Sequence, residues 1–262
     1  MSEQLADAYR IPRTRGSGLL PRPNLANVEA VQVLVIDIGG SHIKLALPGR
    51  EERARFDSSP DLTPTELVRK ISCELESWRY DVVSIGYPGR VAGGGPTHEP
   101  GNLGNGWVSF DFDKAFDKPV RIVNDAVMQA LGAFEDGRML FLGLGTGVGS
   151  ALVTEHVAVP LELGELPYPP GKLSDSLGRQ AFEERGLAQW QQVIAEIVPS
   201  LRCAFAADYV VLGGGLAAQV DPLPPRTRCG GNEDAVEGGE RLWRETIEPH
   251  DHKPSSFWRV VP

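Results

Sequence analysis

Short apolar runs separated by glycine-rich or polar turns predict an alternation of strands and helices along the chain. Runs that are short and β-branched favour buried strands. Helices are indicated by starts such as Thr63-Pro64-Thr65-Glu66, which offers an N-cap and a proline at the first helical position. The predicted strands lie at about 32–38, 42–48, 51–56, 81–87, 120–123, 138–154 (a pair) and 208–213. The predicted helices lie at about 63–78, 124–134, 174–186, 188–206 and 237–249.

The same theme, a strand meander followed by helix and strand, occurs in both halves of the chain. It predicts an α/β protein of two duplicated lobes with a cleft between them. We expect a flexible extension at 1–30, a small lobe at 31–123 and a large lobe at 124–262, with the last helix free to pack back on the small lobe. Residues 92–106, rich in Gly, Pro and Asn, predict a long loop of the kind that is usually functional.

Three predicted strands end in glycine turns. In the first, an apolar run ends at Asp37 and turns on Gly39, Gly40 and Ser41. Backbone N–H groups in such a turn are open to an anion, and an aspartate at its mouth suits Mg²⁺ held through water. One turn of this kind is equally well explained as a tight hairpin. Its recurrence at 141–153 and 209–217 favours a divided cradle for a nucleotide or polyphosphate.

Asp125 is the leading candidate for a catalytic residue. It stands where a predicted strand ends and a helix begins, and a carboxylate is favoured there by the helix dipole. A carboxylate within reach of an attacking hydroxyl is what phosphoryl transfer needs as a general base. The alternative is structural, because Asn124 or Asp125 could simply cap the helix.

Polar residues in two further segments suit a polyhydroxylated ligand. Glu162 and Glu165 alternate with leucines, and carboxylates accept hydrogen bonds from several sugar hydroxyls at once. The alternative is a pair of solvated loop charges. Asn102, Asn105 and Trp107 combine amides with a flat apolar ring. Asparagine in a glycine-rich loop is also a common turn residue.

Charge and composition exclude several classes of partner. The net charge of −9 argues against nucleic acid or an anionic membrane. No apolar run approaches the roughly 18 residues of a membrane span, and the N-terminus lacks the apolar region of a secretory signal.

Cysteine and histidine usage predicts neither disulfides nor a metal centre. Cys73, Cys203 and Cys229 are an odd number without Cys-x-x-Cys spacing, so we expect buried, reduced thiols and a cytoplasmic protein. His250 and His252 are the only close pair of histidines, and their polar tail makes a poor metal site.

The order of the motifs resembles the ROK sugar kinases (repressor, open reading frame, kinase). The motifs are Asp-Ile-Gly-Gly-Ser-x-Ile-Lys, Gly-Tyr-Pro-Gly, Asn-Leu-x-x-x-Trp, Lys-Pro-Val-x-Ile-x-Asn-Asp-Ala, Gly-Leu-Gly-Thr-Gly-Val-Gly, Glu-Leu-Gly-x-Leu and Val-Leu-Gly-Gly-Gly-Leu. Ser41, the segment Asn124-Asp125-Ala126 and the close of the chain at 228–239 are similar to the polyphosphate glucokinase branch. The resemblance spans roughly 32–245.

This resemblance implies an actin-like ATPase (ribonuclease H-like) α/β fold with two lobes and an active site in the interlobe cleft. It implies a hexose kinase that transfers a phosphoryl group from ATP, polyphosphate or both to the sugar 6-hydroxyl, with Mg²⁺. Asp125 would be the general base, and Asp37 would hold Mg²⁺ either directly or through water. The implied sugar-binding residues are Asn102, Asn124, Glu162 and Glu165. The implied donor-binding residues are Asp37, Gly39, Gly40, Ser41, Lys44, Gly145, Thr146, Gly147, Gly213, Gly214 and Gly215.

Two departures from the family pattern bear on function. Glu165 stands where the family has a sugar-binding histidine, and an ionised carboxylate can accept but not donate a hydrogen bond. It also adds negative charge beside a transferring phosphoryl group. Residues 167–171, Pro-Tyr-Pro-Pro-Gly, replace the cysteine-rich run that holds zinc in many relatives, so no structural zinc is expected.

Two alternatives to a glucokinase-like enzyme follow from the same resemblance. A sugar-responsive repressor would need a helix-turn-helix module, which residues 1–30 do not provide. A catalytically weakened or altered-specificity relative would bind sugar or nucleotide without glucokinase activity. The phosphoryl donor is left open between ATP and polyphosphate, and a homodimer is expected. The candidate cations for polyphosphate are Arg90, Arg121, Lys172, Arg226 and Arg228.

Overall fold

Two mixed β-sheets, one from each half of the chain, form the framework of the protein. The computed structural model describes residues 31–50, 53–154, 157–231 and 233–243 and the backbone of 258–259. The strands are β1 (Val33–Ile38), β2 (His42–Ala46), β3 (Arg53–Asp57), β4 (Val82–Tyr87), β5 (Val91–Ala92), β6 (Gly95–Pro96), β7 (Val120–Asn124), β8 (Met139–Leu144), β9 (Val148–Thr154), β10 (Val157–Leu161), β11 (Pro167–Tyr168), β12 (Gly171–Lys172), β13 (Tyr209–Gly213), β14 (Thr227–Cys229) and β15 (Trp258–Arg259). The helices are α1 (Pro64–Glu74), α2 (Phe112–Phe116), α3 (Asp125–Ala133), α4 (Ser174–Leu177), α5 (Arg179–Ala204) and α6 (Asp234–Arg241).

The two sheets repeat one topology. The first has the order β3-β2-β1-β4-β7, in which β1 to β3 form an antiparallel meander and β4 and β7 run parallel to β1. In the second, β8, β9 and β10 form the meander and β13 and β14 run parallel to β8. Its order is β14-β13-β8-β9-β10-β15, so it carries one additional edge strand. The repeated theme in the sequence therefore corresponds to a repeated sheet.

Helices cover both faces of each sheet, because the central strands carry apolar residues on both of their faces. Val33 and Val35 of β1 join a core with α3, α6 and the second sheet, whereas Leu34 and Ile36 join a core with α1 and α2. In the second sheet, the outward-facing residues of β8 pack against α5 around Trp190. The layers are thus helix, sheet, paired helices, sheet and helix.

The paired central helices α3 and α6 pack backbone against backbone. A Cβ atom placed on Gly132 of α3 would overlap the carbonyl oxygen of Asp234, and one on Gly238 would overlap that of Met128. Helix α6 also contacts the first sheet, where Ser84 Oγ donates to the Gly239 carbonyl oxygen at 2.6 Å. Helix α6 is therefore held between α3 and the first sheet.

The element starts predicted from sequence agree well with the structure where local signals are strong. Thr63 caps α1 through its hydroxyl, which accepts from the Glu66 N–H at 3.3 Å, while Glu66 Oε2 accepts from the Thr63 N–H at 3.1 Å. The predicted break between two helical stretches is found at Gly186, where α5 leaves helical geometry. Strand β10 and the short helix α2 were missed, because the strand contains Pro160 and the helix is too short for periodicity.

The cysteine prediction was half wrong. Cys73, Cys203 and Cys229 are free, but all three side chains are exposed rather than buried. They lie on the outer side of α1, near the end of α5 and on the strand β14 at the edge of its sheet, so no core forms over them.

Several predictions fall on residues outside the described ranges. These are the extension at 1–30, the pair His250 and His252, and residues 244–249 of the last predicted helix, 237–249. Within the described residues that helix begins earlier than predicted, at Asp234, and ends at Arg241. Among the helices of the described residues, none is both long and apolar enough to cross a bilayer.

Candidate active site

Three predicted segments meet at one end of the two sheets. A Cβ atom placed on Gly40, in the first glycine turn, would lie 3.1 Å from Thr146 Oγ1 in the second glycine turn. The same position lies 3.4 Å from Asn102 Nδ2, which belongs to the long loop. The first turn comes from one sheet and the second from the other, so the three segments converge between the sheets, at the place predicted for the cleft.

The first glycine turn presents a buried carboxylate. Asp37 lies opposite Lys44 in the β1–β2 hairpin, and the Gly39 N–H donates to the His42 carbonyl oxygen at 3.0 Å to close the turn. Asp37 is 6% exposed, and its Oδ1 has no hydrogen-bond partner among the described residues. Burial raises the pKa of Asp37, and the positive charge of Lys44 opposes that rise.

At the start of α3, the residue that caps the helix is distinct from the candidate base. Asn124 is the N-cap, and its Oδ1 accepts from the N–H groups of Ala126 at 3.0 Å and Val127 at 3.2 Å. Its Nδ2 donates to the Gly89 carbonyl oxygen at 3.1 Å. Asn124 therefore performs the capping that either residue could have supplied, and its amide is committed to protein partners.

Asp125 is left as the first helical residue. Its Oδ1 accepts from the Ala126 N–H at 2.8 Å, and its own backbone N–H also donates to the carboxylate. Burial raises the pKa of Asp125 to about 7, and the charges of Asp37 and Glu162 add to the effect while the Ala126 N–H opposes it. Asp125 therefore holds a proton far more readily than an ordinary aspartate does.

Two glycines allow α3 to begin between the sheets. A Cβ atom on Gly86, in the row of the first sheet that contains Asp37, would lie 3.4 Å from the Cα of Asp125. One on Gly149 of β9 would lie 3.0 Å from the Cβ of Ala126. A Cβ atom on Gly149 would press on the first turn of α3, and one on Gly86 would displace the Met128 side chain, whose Cε lies 2.5 Å from that position. Sequence reasoning missed both positions, since a lone glycine in a strand does not reveal what approaches it.

Glu162 and Glu165 each pair with a cation at the ends of a single turn of 3₁₀-helix, Leu163–Glu165. Glu162 Oε1 lies 3.4 Å from Arg90 Nε, and Glu165 Oε1 accepts from Lys172 Nζ at 2.7 Å. That hydrogen bond raises the pKa of Lys172. Glu162 is the nearer of the two carboxylates to Asp125 in electrostatic terms, because only its charge contributes to the raised pKa of Asp125.

The second and third glycine turns come together at the start of α5. The Gly145 carbonyl oxygen accepts from the Arg179 N–H at 2.8 Å, and a Cβ atom on Gly215 would lie 3.5 Å from Arg179 Nη2. The Leu216 N–H donates to the Leu144 carbonyl oxygen at 3.0 Å, which joins the ends of β8 and β13. The remaining residues of these turns are Thr146, Gly147, Gly213 and Gly214. The two turns thus form one continuous edge of the cleft.

The loop that carries Asn102 is fixed by a residue that sequence reasoning overlooked. The two carboxylate oxygens of Glu99 accept from the N–H groups of Trp107 at 3.0 Å and Val108 at 3.2 Å. The suggestion that Trp107 forms a wall for a polyol was wrong. Its ring is fully buried and packs 5.6 Å from that of Tyr87, so it anchors the loop in the core.

The candidate cations for an anionic donor divide into two groups. Arg121 stacks 4.2 Å over the Trp243 ring and donates to the Leu242 carbonyl oxygen, and Arg228 pairs with Glu135 at 3.1 Å. These two support the packing around α6 and β14. Arg90 pairs with Glu162, and Lys172 pairs with Glu165. Nothing in the structure explains the fifth candidate, Arg226, as a ligand-binding residue.

The donor set of the cleft fits magnesium better than a protein-bound transition metal. Among the described residues, no group of three His, Cys, Asp or Glu side chains is arranged to share a metal ion. The buried, unpartnered Oδ1 of Asp37 is a single hard oxygen donor. Magnesium is bound in this way, by one or two carboxylates with water and phosphate oxygens completing its shell. The residues present therefore fit Mg²⁺ carried by a phosphate donor.

Comparison with known proteins relates this arrangement to sugar kinases. No protein-family model matches the chain. A polyphosphate glucokinase of Mycobacterium leprae is 22% identical in an alignment 213 residues long, and the match covers 72% of this chain and 65% of that protein. The inorganic polyphosphate/ATP-glucomannokinase of Arthrobacter sp. strain KM is 24% identical, with a TM-score of 0.69 over 80% of this chain and 97% of that one. A ROK family glucokinase of Streptomyces griseus, solved with glucose and AMPPNP, is 15% identical with a TM-score of 0.64 over 80% and 98% of the two chains.

These similarities confirm the predicted resemblance and the fold class. The chain has the α/β actin-like ATPase fold of the ROK sugar kinases, with two lobes. Its sequence relatives include polyphosphate glucokinases, the branch that the motifs indicated. The chain spans just under two thirds of the length of the Mycobacterium leprae relative.

Proposed function

We propose that this chain is a hexose kinase that transfers a phosphoryl group from ATP, polyphosphate or both to a sugar 6-hydroxyl. The observation that carries the proposal is the setting of Asp125: it is the first residue of a helix whose N-cap is Asn124, it lies beside the buried Asp37, and its pKa is about 7. A general base works best when its pKa lies near the working pH. The similarity to the glucokinases and the glucomannokinase supports the choice of reaction.

In the proposed reaction, the sugar lies between Asp125 and the loop that carries Asn102. Asp125 accepts the proton of the 6-hydroxyl as the sugar oxygen forms a bond to the terminal phosphorus and the bond from that phosphorus to the donor breaks. Asn102 and Glu162 orient the sugar by hydrogen bonds to its other hydroxyls. Asn124 contributes by positioning Asp125, because its own side-chain amide caps α3 and donates to the Gly89 carbonyl oxygen.

The three glycine turns would hold the phosphate chain of the donor through backbone N–H groups. This arrangement suits a chain with a net charge of −9, because the anion is bound by local dipoles and not by a basic surface. Lys44 lies across the hairpin from Asp37 and adds one positive charge near the first turn. Mg²⁺ held by Asp37 would neutralise charge that develops on the transferred phosphoryl group. A cytoplasmic location and a homodimer stay predictions.

The test is a phosphorylation assay with glucose, mannose, glucosamine and N-acetylated hexosamines, each with Mg-ATP and with polyphosphate. We expect turnover of at least one unmodified hexose with at least one donor. Binding of sugar or nucleotide without turnover of any pair would contradict the proposal and favour a non-catalytic relative. A preference for an N-acetylated hexosamine would keep the kinase and change the substrate.

The raised pKa of Asp125 predicts a pH dependence with a definite sign. The general base acts in its deprotonated form, and Asp125 becomes protonated as the pH falls through about 7. We therefore expect kcat/KM to fall about tenfold for each pH unit below that value and to level off above it. Steady-state rates between pH 5.5 and 8.5 measure this. A profile that stays flat down to pH 5.5 would show that Asp125 titrates like an ordinary aspartate.

A further inference from the structure

An ion pair joins the loop after a strand of the first sheet to the loop after a strand of the second. Arg90 follows β4 of the first sheet, and Glu162 follows β10 of the second. Arg90 Nε lies 3.4 Å from Glu162 Oε1. The Arg90 carbonyl oxygen accepts from the Thr97 N–H at 2.9 Å, which closes the small β5–β6 hairpin and fixes the backbone from which the guanidinium reaches across.

The pair is too exposed to be explained as a structural contact. The side chain of Arg90 is 60% exposed and that of Glu162 is 54% exposed. Exposed pairs of this kind contribute little to folding, because water screens the attraction and two long side chains lose conformational freedom. The pair nevertheless lies beside Asp125: Arg90 follows Gly89, whose carbonyl oxygen accepts from Asn124 Nδ2 at 3.1 Å, and Asn124 directly precedes Asp125.

The charge around the predicted cleft suggests a role for this ion pair. Asp37, Asp125 and Glu162 bring three carboxyl groups together, and Glu165 lies one short turn beyond Glu162. A site with several unpaired carboxylates would attract a cationic ligand. In this chain Glu162 is matched by Arg90, and Glu165 by a lysine at 2.7 Å. The two exposed carboxylates, Glu162 and Glu165, are thus each matched by a cation before any ligand arrives.

We propose that Arg90 is a specificity residue that makes the sugar site select a neutral hexose over a protonated aminohexose. The guanidinium repels an ammonium group on the sugar and cancels the attraction of Glu162, while its N–H groups remain able to donate to neutral hydroxyls. This inference rests on the proposed function, since it places the sugar beside Glu162. Beyond that function, the inference specifies that the preferred sugar is a neutral hexose and that Arg90 determines this preference.

The test compares Arg90→Gln, Arg90→Lys and the wild-type enzyme. Calorimetric binding of glucose and of glucosamine, at a pH where the amine is protonated, gives the ratio of the two dissociation constants without any need for turnover. The ratio of kcat/KM for the two sugars is measured with the same donor. Arg79→Gln is the matched control, because Arg79 is exposed and donates only to the nearby carbonyl oxygens of Glu76 and Trp78 among the described residues.

We expect Arg90→Gln to shift both ratios toward glucosamine by about five- to tenfold, while Arg90→Lys and Arg79→Gln stay close to the wild-type ratios. Glu162→Gln should shift them in the opposite direction, because it leaves Arg90 unmatched, and it keeps the proposal testable if Arg90→Gln does not fold. Ratios in Arg90→Gln within about twofold of wild type would overturn the proposal. An equal shift in Arg90→Lys would also overturn it, because the shape of the side chain and not its charge would then determine the selectivity.

The same data separate this inference from the proposed function. Wild-type protein that binds both sugars without phosphorylating either one would contradict the kinase, while the binding ratios would still decide the role of Arg90. Wild-type protein that binds neither sugar would overturn both.

Discussion

Asp125→Asn is expected to lower kcat for hexose phosphorylation by about 10²- to 10⁴-fold and, at the same time, to stabilise the fold above neutral pH. The loss of rate follows because an amide cannot accept the hydroxyl proton. The gain in stability follows because the wild-type carboxylate loses its proton only at about pH 7 in the folded state, against the ordinary value of 3.8 in an unfolded chain.

The sign of the stability effect comes from proton binding. Between pH 3.8 and about 7 the folded protein holds a proton on Asp125 that the unfolded chain has lost. The free energy of unfolding of the wild type therefore decreases as the pH rises through this range and then stays level. The amide introduced by Asp125→Asn never ionises, so the variant should exceed the wild type in stability by a larger margin at pH 8 than at pH 5.5.

Urea unfolding at these two pH values, in the presence of a chelator, together with kcat at pH 8, measures both effects. Asp136→Asn is the matched control, because Asp136 is exposed just beyond the other end of α3. The control should change neither quantity. A variant at position 125 that loses activity and stability together would indicate general damage and would contradict the account of its buried charge.

Gly132→Ala is expected to destabilise the protein by about 3 kcal/mol or more, although alanine is the better helix former by about 1 kcal/mol. A Cβ atom at this position would overlap the Asp234 carbonyl oxygen of α6, so the two helices must separate. Backbone cannot move aside as a flexible side chain can. The melting temperature should fall by roughly 6–12 °C for a domain of this size.

The same substitution should reduce kcat, because α3 carries Asp125 at its first position. Gly238→Ala, on the facing helix, should have a similar effect, since its Cβ would overlap the Met128 carbonyl oxygen. Gly95→Ala is the control, because nothing lies within 4 Å of the Cβ position there. Thermal unfolding of the three variants decides the matter. A Gly132→Ala protein as stable as the control would mean that the helices lie farther apart than described.

Local chemistry explains why so much of the fold could be predicted. Thr63 and Glu66 form a capping box from four consecutive residues, and the turn after Asp37 closes through the neighbouring His42. Signals of this kind act over a few residues, so the sequence alone reveals them. The repeat of strand, glycine turn and strand also indicated the two sheets, because both hairpins follow the same local pattern.

Contacts between distant segments account for what could not be predicted. Gly132 meets Asp234 about a hundred residues later, and nothing near either residue announces the contact. Trp107 was expected to face a ligand, but its ring completes the core beside Tyr87, a choice that depends on which face of the loop is covered. The raised pKa of Asp125 likewise comes from burial and from Asp37, which only the folded chain brings near.

The measurement that tests the central claim most directly is ³¹P NMR of the wild-type protein incubated at pH 8 with glucose, Mg²⁺ and either ATP or polyphosphate. The account predicts a new phosphomonoester resonance that couples to the C6 protons of the sugar, from at least one of the two donors. Asp125→Asn under the same conditions should give none within the same time. Release of inorganic phosphate alone, or no consumption of either donor, would contradict phosphoryl transfer to the sugar.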